Sequence, residues 1–264
     1  MNKPICLFDS GIGGLTVLKK LLDKFPSEQY IYFADLARVP FGDRTNNEIK
    51  EIAKEIIEYL AKSNPKLIIM ACNTSSAVLS SELQTISSYL SIPIYGMIES
   101  CVKDISALSY SQVTVWATKL AVENNGYKKA IHKLNTKIKV EEVACPKLVP
   151  MIEELSSSLS HKRTTIQEYL EKTSKDTQAL ILGCTHYPLI SNELSGLTKL
   201  KIIDPANNLI NDLVRNNILD TSTEVKKQIS FYTTAQVEKV ERFVKEYLYE
   251  NYNVNLVSTK KTYA

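Results

Sequence analysis

The chain has 264 residues, of which 44% are hydrophobic and 23% are charged, a composition typical of a folded protein with one large or two small domains rather than a disordered chain. The net charge of +3 comes from Lys and Glu residues interspersed along the sequence, which argues against a nucleic-acid-binding or membrane-binding patch. Because the sequence has no signal peptide and no run of about 18 apolar residues, we expect a cytoplasmic protein.

Short apolar runs alternate with amphipathic helical stretches in the first part of the chain. The predicted elements are a strand at Ile5–Phe8, a helix at Leu15–Lys24, a strand at Tyr30–Ala34, a helix at Glu48–Lys62, a strand at Lys66–Ala71 and a helix that begins at Asn73. A turn at Asp9-Ser10-Gly11 and a polar loop with Pro40-Phe41-Gly42 lie between them. Strands that alternate with helices predict a parallel α/β fold.

The same alternation continues to the end of the chain. The predicted elements are a strand at Gln112–Ala117, a helix at Ala121–Leu134, a strand at Lys137–Val143, a helix at Val149–Leu155 that resumes at Thr164–Thr173 after a serine-rich segment, a strand at Ala179–Gly183, a helical or turn segment at Tyr187–Leu194, a strand at Lys201–Ile203, a helix at Asn207–Asn216, a strand at Gln228–Thr233 and a helix at Ala235–Leu248. A tail containing Lys and Thr follows.

One short pattern occurs twice, 112 residues apart. The apolar strand KLIIMA leads to Cys72, and the apolar strand ALILG leads to Cys184; a small polar residue follows each cysteine. Ligands of parallel α/β sheets bind beyond the carboxyl ends of the strands. We therefore expect two similar halves that present both thiols to one shared cleft.

Each of the five cysteines also has a simpler interpretation. A cysteine after an apolar strand is most often a small buried hydrophobic residue, and we interpret Cys6, Cys101 and Cys145 in this way. The odd number and wide spacing of the cysteines oppose a disulfide framework. With no CxxC pair and only three histidines, we expect no metal site. Cys72 and Cys184 differ from the others because their contexts match.

The residues around the two thiols suit a zwitterionic ligand. Asp9 precedes a glycine-rich turn that lacks the Lys-Ser/Thr of a phosphate loop, and its carboxylate suits an ammonium group better than a phosphate. Hydroxyl, amide and backbone N–H donors at the predicted helix starts can bind carboxylates; the side chains concerned are Ser10, Asn73, Thr74 and Thr185. Two thiols beside such a pocket can remove a proton from one face of a carbon and return it on the other.

Several segments resemble the aspartate/glutamate racemase family. They are FDSGIGGLTVL (Phe8–Leu18), VPFGDR (Val39–Arg44), ACNTSSA (Ala71–Ala77), CPKLVPMIE (Cys145–Glu153), LGCTHYPL (Leu182–Leu189) and IIDPA (Ile202–Ala206). The resemblance implies two pseudo-symmetric α/β domains, with the active site in the cleft between them. Residues 1–96 with 208–264 would form the first domain, and residues 97–207 the second.

The resemblance also implies a mechanism and a partner. The enzyme would interconvert L- and D-glutamate, without pyridoxal phosphate or metal, and would supply D-glutamate for peptidoglycan. Cys72 would be the base towards D-glutamate, and Cys184 the base towards L-glutamate. Asp9 would assist Cys72, while His186 and Glu153 would assist Cys184. We expect a small-molecule substrate and a homodimer.

A set of substrate-binding residues follows from the same resemblance: Asp9, Ser10, Pro40, Phe41, Gly42, Asn73, Thr74, Thr118, Thr185 and His186. The chain departs from the family pattern at three positions near these residues. Phe41 stands where Tyr is common, Ala117 where Gly is usual, and Ala121 where a second Thr is usual. These changes leave open a related racemase with another substrate, such as aspartate.

Two functions of other classes are also compatible with parts of the pattern. A non-catalytic member that binds an amino acid or a protein would be favoured by loss of Asp9, His186 or either cysteine, and all four residues are present. A thiol hydrolase with a Cys-His pair would have no use for the second thiol, and His186 is only two residues from Cys184.

Overall fold

The computed structural model describes residues 3–154, 158–219, 228–250 and 252–258. The strands are β1 (Ile5–Asp9), β2 (Gln29–Ala34), β3 (Leu67–Met70), β4 (Ile94–Gly96), β5 (Gln112–Ala117), β6 (Lys139–Ala144), β7 (Ala179–Gly183), β8 (Lys201–Ile203), β9 (Gln228–Thr233) and β10 (Val254–Leu256). They form two sheets, with the spatial orders β10-β9-β2-β1-β3-β4 and β6-β5-β7-β8. Every pair of neighbouring strands is parallel, which confirms the predicted fold class.

Helices connect the strands along both sheets. They are α1 (Leu15–Lys24), α2 (Asn46–Ala61), α3 (Asn73–Leu79), α4 (Leu83–Leu90), α5 (Met97–Ala107), α6 (Lys119–Glu123), α7 (Gly126–Leu134), α8 (Leu148–Glu153), α9 (Leu159–Glu171), α10 (Ser191–Ser195), α11 (Pro205–Arg215) and α12 (Val237–Leu248). Short 3-10 turns lie at Leu36–Arg38, Phe41–Asp43 and Tyr187–Ile190. Among the described residues, no helix is long and apolar enough to cross a membrane.

The central strands of both sheets are buried along their whole length. Every residue of β1, β3, β5 and β7 is buried, which explains why these runs are apolar on both faces. β1 lies between β2 and β3, and β7 lies between β5 and β8. The carboxyl ends of these four strands lead directly into the segments that hold Ser10, Cys72, Thr118 and Cys184.

The helix after the polar loop illustrates how local sequence sets an element. Thr45 and Glu48 form a reciprocal capping box at the start of α2, because each side chain accepts the other's backbone N–H. Ile49, Ile52 and Ile56 then recur at helical spacing and are fully buried against the first sheet. This helix closes one face of the first sheet and fixes the end of the loop that contains Phe41.

The predicted helix Ala121–Leu134 is wrong as a single element. It is two helices, α6 and α7, separated at Asn125, which has a φ of 52°. Asn adopts this left-handed conformation more readily than most residues, so the chain turns there. The side chain of Asn124 also donates to the Leu120 carbonyl and satisfies the end of α6.

Other predictions were incomplete at elements with weak signals. The prediction omitted α4, whose sequence LQTISSYL contains two serines of low helix propensity, and the short strands β4 and β10. α9 begins at Leu159, five residues before the predicted resumption at Thr164. Leu155 and the C-terminal tail from residue 259 lie outside the described residues.

Candidate active site

A cavity of about 330 Å³ lies at the carboxyl ends of the strands of both sheets. Every predicted site residue lines it: Asp9, Ser10, Pro40, Phe41, Gly42, Cys72, Asn73, Thr74, Thr118, Glu153, Cys184, Thr185 and His186. The first sheet and its loops contribute the residues up to Thr74, and the second sheet contributes the others. This volume is in the range of small-molecule sites.

Asp9, the last residue of β1, is held by the turn that follows it. Its Oδ2 accepts hydrogen bonds from the backbone N–H groups of Gly11 and Gly14, at 3.2 and 2.9 Å. The hydroxyl of Tyr32 donates to the Gly11 carbonyl and fixes the same turn. Asp9 Oδ1 is buried and has no hydrogen-bond partner among the described residues, which is costly for a carboxylate oxygen unless a ligand binds it.

Cys72 occupies the N-cap position of α3, as the sequence predicted. Its side chain is buried, and the thiol donates a hydrogen bond to the Ser10 hydroxyl at 3.9 Å. Burial and the nearby Asp9 carboxylate raise the pKa of Cys72 to about 11, although the backbone N–H of Ser75 favours the thiolate. At neutral pH Cys72 is therefore a thiol, able to give a proton.

Cys184 follows β7 but does not cap an α-helix. It precedes the 3-10 turn at Tyr187–Ile190 and the short helix α10, in agreement with the helical or turn segment predicted from Tyr187. The neighbour of the Cys184 sulfur is instead His186, whose Nδ1 lies 3.8 Å away.

His186 joins Cys184 to a carboxylate. Its Nε2 lies 2.9 Å from Glu153 Oε1. Burial lowers the pKa of His186, but its contacts with Cys184 and Glu153 outweigh burial and raise the pKa to about 10. The ring is therefore an imidazolium at neutral pH, with one N–H for each neighbour.

Glu153 is the charged partner of this imidazolium. Burial would raise its pKa, but hydrogen bonds and charge interactions with His186 and with Lys239 lower the pKa to about 2. Lys239 Nζ lies 2.7 Å from Glu153 Oε2. Both oxygens of the carboxylate are thus paired with cations.

A close backbone approach brings the two halves together beside this network. A Cβ at Gly13 would lie 2.4 Å from His186 Nδ1 and 2.6 Å from Thr185 Oγ1, so only glycine fits. The Thr16 hydroxyl donates to the Thr185 carbonyl at 3.0 Å. The glycine-rich turn after β1 therefore packs directly against the Cys184 segment.

Hydroxyl and amide groups line the rest of the cavity. The hydroxyls of Thr74 and Thr118 lie 2.8 Å apart, one from each half of the fold. The Tyr127 hydroxyl donates to Asn73 Oδ1 at 2.6 Å, which leaves the amide N–H groups of Asn73 for other partners. These groups can bind a carboxylate.

The departures from the family pattern at Phe41 and Ala121 lie in different environments, and the third, Ala117, is buried in the same cluster as Ala121. Phe41 lines the cavity, and its ring packs in the hydrophobic cluster that contains Cys72. Ala121 is buried in the hydrophobic cluster beneath the second sheet, and it is absent from the described residues that line the cavity. Its backbone N–H donates to Thr118 Oγ1 at 3.4 Å.

Sequence reasoning missed several residues at or near the cavity. Cys145, interpreted as structural, is buried at the cavity wall, and Lys119 and Asp43 also line it. Their neighbours in the sequence, Thr118, Gly42 and the CPKLVPMIE segment, were the available signals. Lys239 had no such signal, because it is 86 residues from Glu153 in the chain. The described residues contain no group of three His, Cys, Asp or Glu side chains placed to hold a metal ion.

The chain is similar to known proteins of one family over most of its length. The family model described as Asp/Glu/Hydantoin racemase matches residues 14–213. Glutamate racemase 3 of Caldanaerobacter subterraneus subsp. tengcongensis is 35% identical over an alignment 270 residues long, gaps included. The alignment covers 98% of this chain and 96% of that protein.

Solved structures with the same fold cover nearly the whole chain. Glutamate racemase isoform RacE1 from Bacillus anthracis superposes with a TM-score of 0.87 at 31% identity, covering 97% of each chain. Glutamate racemase from Francisella tularensis, solved in complex with D-glutamate, gives a TM-score of 0.85 at 35% identity, covering 97% of this chain and 98% of that one.

Proposed function

The chain belongs to the Asp/Glu/hydantoin racemase family, and we propose that it interconverts L- and D-glutamate by moving the α-proton between Cys72 and Cys184. The observation that carries this proposal is that two thiols, one from each sheet, line a single cavity. The relatives named above are glutamate racemases, and one of their solved structures contains D-glutamate.

The proposed reaction uses each thiol once in each direction. From L-glutamate, the Cys184 thiolate takes the α-proton, so an S–H bond forms as the C–H bond breaks and its electron pair stays on the carbon. The Cys72 thiol then gives its proton to the opposite face of that carbon. The reverse sequence starts with Cys72 as a thiolate and converts D-glutamate to the L form.

The charges around the sulfurs support these roles. The raised pKa of Cys72 keeps that thiol protonated and ready to donate. Beside Cys184, the His186 imidazolium can stabilise a thiolate and can exchange the proton that the sulfur acquires. The carboxylate of Glu153 fixes the ring through its other nitrogen.

Substrate binding would use the polar groups that line the cavity. The substrate ammonium would bind the unpaired Oδ1 of Asp9. The two substrate carboxylates would bind hydroxyl and amide donors and the backbone of the loop at residues 40–42; the side chains concerned are Ser10, Asn73, Thr74, Thr118 and Thr185. An α-hydrogen is far less acidic than a thiol, so these donors must also stabilise the carbanion, and exclusion of water strengthens their effect.

The remaining expectations belong to the same proposal. We assign residues 1–96 with 208–264 to one domain and 97–207 to another, supported by the division of the strands between the two sheets. We propose a reaction without pyridoxal phosphate or metal, in the cytoplasm, by a homodimer that supplies D-glutamate for peptidoglycan. Sedimentation of the purified chain, with and without glutamate, tests the oligomeric state.

Circular dichroism of purified protein with L-glutamate and no added cofactor tests the reaction. We expect the signal to decay to zero, and more slowly or not at all with L-aspartate. Cys72→Ser and Cys184→Ser should each reduce racemisation by about a thousandfold, because each removes one acid–base group. Cys145→Ser is the matched control, since this third thiol lines the same cavity without a proposed role.

Solvent deuterium distinguishes the two-thiol scheme from a single base. If Cys72→Ser racemised glutamate at the wild-type rate while deuterium entered the α-position, the scheme would fail. Faster turnover of L-aspartate than of L-glutamate by the wild type would instead reassign the substrate within the same family.

A further inference from the structure

A continuous row of four side chains runs from Cys184 to the C-terminal helix. The Cys184 sulfur lies 3.8 Å from His186 Nδ1, and His186 Nε2 lies 2.9 Å from Glu153 Oε1. Glu153 Oε2 lies 2.7 Å from Lys239 Nζ. The last of these residues is not in the cavity lining, and the mechanism above does not use it.

Lys239 reaches this row from the other half of the fold. It is on α12, and the adjacent Val240 together with Phe243 packs into the hydrophobic cluster of the first sheet. Glu153 is the last residue of α8, in the second half. The pair therefore joins the C-terminal helix of one half to the acid–base machinery of the other.

The geometry gives Lys239 a task beyond linking two helices. A carboxylate bound through one oxygen can still rotate, whereas Glu153 is bound through both. The side chains of Lys239 and Glu153 are 24% and 23% exposed, so the pair is sufficiently withdrawn from water to hold one geometry. With Glu153 fixed, the ring of His186 is held with Nδ1 directed at the sulfur.

We propose that Lys239 is a positioning residue for racemisation, which holds Glu153 and His186 in the orientation that exchanges protons with Cys184. This inference rests on the proposed function. It assigns Lys239 to one proton-transfer step only, the step at the Cys184 sulfur. Proton transfer at Cys72, whose neighbours are Asp9 and Ser10, does not depend on it.

The test compares the two proton transfers rather than the overall rate. The equilibrium constant of a racemisation in water is 1, so a variant must change kcat/KM equally for both enantiomers. Isotope effects are not constrained in this way. If the Cys184 step becomes slower, the primary isotope effect with α-deuterated L-glutamate rises, and that with α-deuterated D-glutamate falls.

Lys239→Met, which removes the charge and keeps the length, should lower kcat/KM by about tenfold, the value of one lost charge-assisted hydrogen bond. The ratio of the L to the D isotope effect should increase. Lys239→Arg should restore both quantities. Lys245→Met is the matched control, because Lys245 is exposed on the same helix, and it should leave both unchanged.

Several results would overturn the inference. Wild-type rate and isotope effects in Lys239→Met would do so, as would a lower rate with the ratio of isotope effects unchanged, since uniform damage indicates a structural role only. If Lys239→Met does not fold, Lys239→Gln takes its place. If neither of these variants folds while Lys239→Arg does, Lys239 has a structural role only, and the inference is overturned. A wild-type chain inactive on glutamate would instead refute the proposed function, and the inference with it.

Discussion

Cys72 and Cys184 each follow a fully buried central strand, β3 or β7, but their surroundings carry opposite charge. Burial, and after it the nearby carboxylate of Asp9, raises the pKa of Cys72 to about 11. Cys184 lies beside the imidazolium of His186, whose own pKa is raised to about 10. The repeated backbone plan brings two sulfurs to one cavity, and their polar neighbours differ.

This difference indicates how a symmetric reaction can use an asymmetric site. One sulfur must hold a proton while the other is ready to accept one, and two identical environments would favour neither. Burial and the nearby Asp9 carboxylate favour the thiol form of Cys72, whereas the polar neighbour of the Cys184 sulfur is the His186 ring. In the proposed two-thiol reaction, each turnover would exchange the roles of the two sulfurs.

After replacement of the thiols themselves, the largest expected effect comes from two adjacent glycines, each of which packs against a neighbour of one sulfur. A Cβ at Gly13 would lie 2.4 Å from the His186 ring, and a Cβ at Gly14 would lie 2.7 Å from Asp9 Cβ. Gly13→Ala should displace His186, and Gly14→Ala should displace Asp9. Each should lower kcat by about a hundredfold, since misplacement by about 1 Å has that cost. Steady-state racemisation assays measure the loss.

Gly196→Ala is the control for both variants. A Cβ there meets its nearest atoms at 3.5 and 3.6 Å, which is ordinary contact, so activity and melting temperature should stay at the wild-type values. Full activity of Gly13→Ala would mean that the turn and His186 separate during catalysis.

A smaller effect is expected when the charge beside Cys72 is removed. Asp9→Asn keeps an oxygen for the N–H groups of Gly11 and Gly14 but loses the negative charge that raises the pKa of Cys72. Alkylation of Cys72 by iodoacetamide at pH 8, followed by mass spectrometry of its peptide, should become about tenfold faster, which corresponds to one pKa unit.

His186→Asn supplies the comparison on the other side. It should leave alkylation of Cys72 unchanged and slow alkylation of Cys184, which loses its cationic neighbour. Equal changes at both sulfurs in either variant would contradict the assignment of one charged neighbour to each thiol.

The strands that end at the cavity could be predicted from sequence because their signal is strong. The apolar runs that end before Cys72 and Cys184 permit only buried strands, and parallel strands bring their carboxyl ends to one edge of a sheet. The division at Asn125 was not predictable from apolar periodicity, because both α6 and α7 continue the helical pattern on either side of it.

The charged network was predictable only in part. His186 lies two residues from Cys184, so the motif itself identified it. The ion pair between Glu153 and Lys239 depends on how α8 and α12 meet in space, and no short-range pattern contains that information. The sequence also does not show that Cys72 caps an α-helix whereas Cys184 precedes a 3-10 turn.

A weaker difference between the surroundings of Cys72 and Cys184 is expected in how the free energy of unfolding depends on pH. The pKa of His186 is raised from 6.5 to about 10, so the folded protein binds the proton more tightly than the unfolded chain. The stabilisation from this group is complete below pH 6.5 and is lost as the pH rises through about 10. Urea unfolding of the wild type should therefore give a free energy that falls across this window.

His186→Asn removes this contribution, so its free energy of unfolding should fall less steeply between pH 6.5 and 10. The difference in slope should correspond to about one bound proton. Groups that titrate above pH 9 and do not contact His186 are common to both proteins and cancel in the difference. Parallel curves for the two proteins would mean that His186 is neutral in the folded state.

The smallest effect is expected from a substitution at Ala121. This substitution tests whether the second half of the fold lacks a hydroxyl group that binds substrate. Because Ala121 lies within a hydrophobic cluster and the paired hydroxyls of Thr74 and Thr118 already line the cavity, Ala121→Thr should change kcat/KM for glutamate by less than about threefold. Ala121→Val has the same shape without the hydroxyl and separates packing from hydrogen bonding. A tenfold gain with Thr and none with Val would show that the second half lacks a substrate hydroxyl, and that the asymmetry between the two sulfurs extends to the groups that bind the carboxylates.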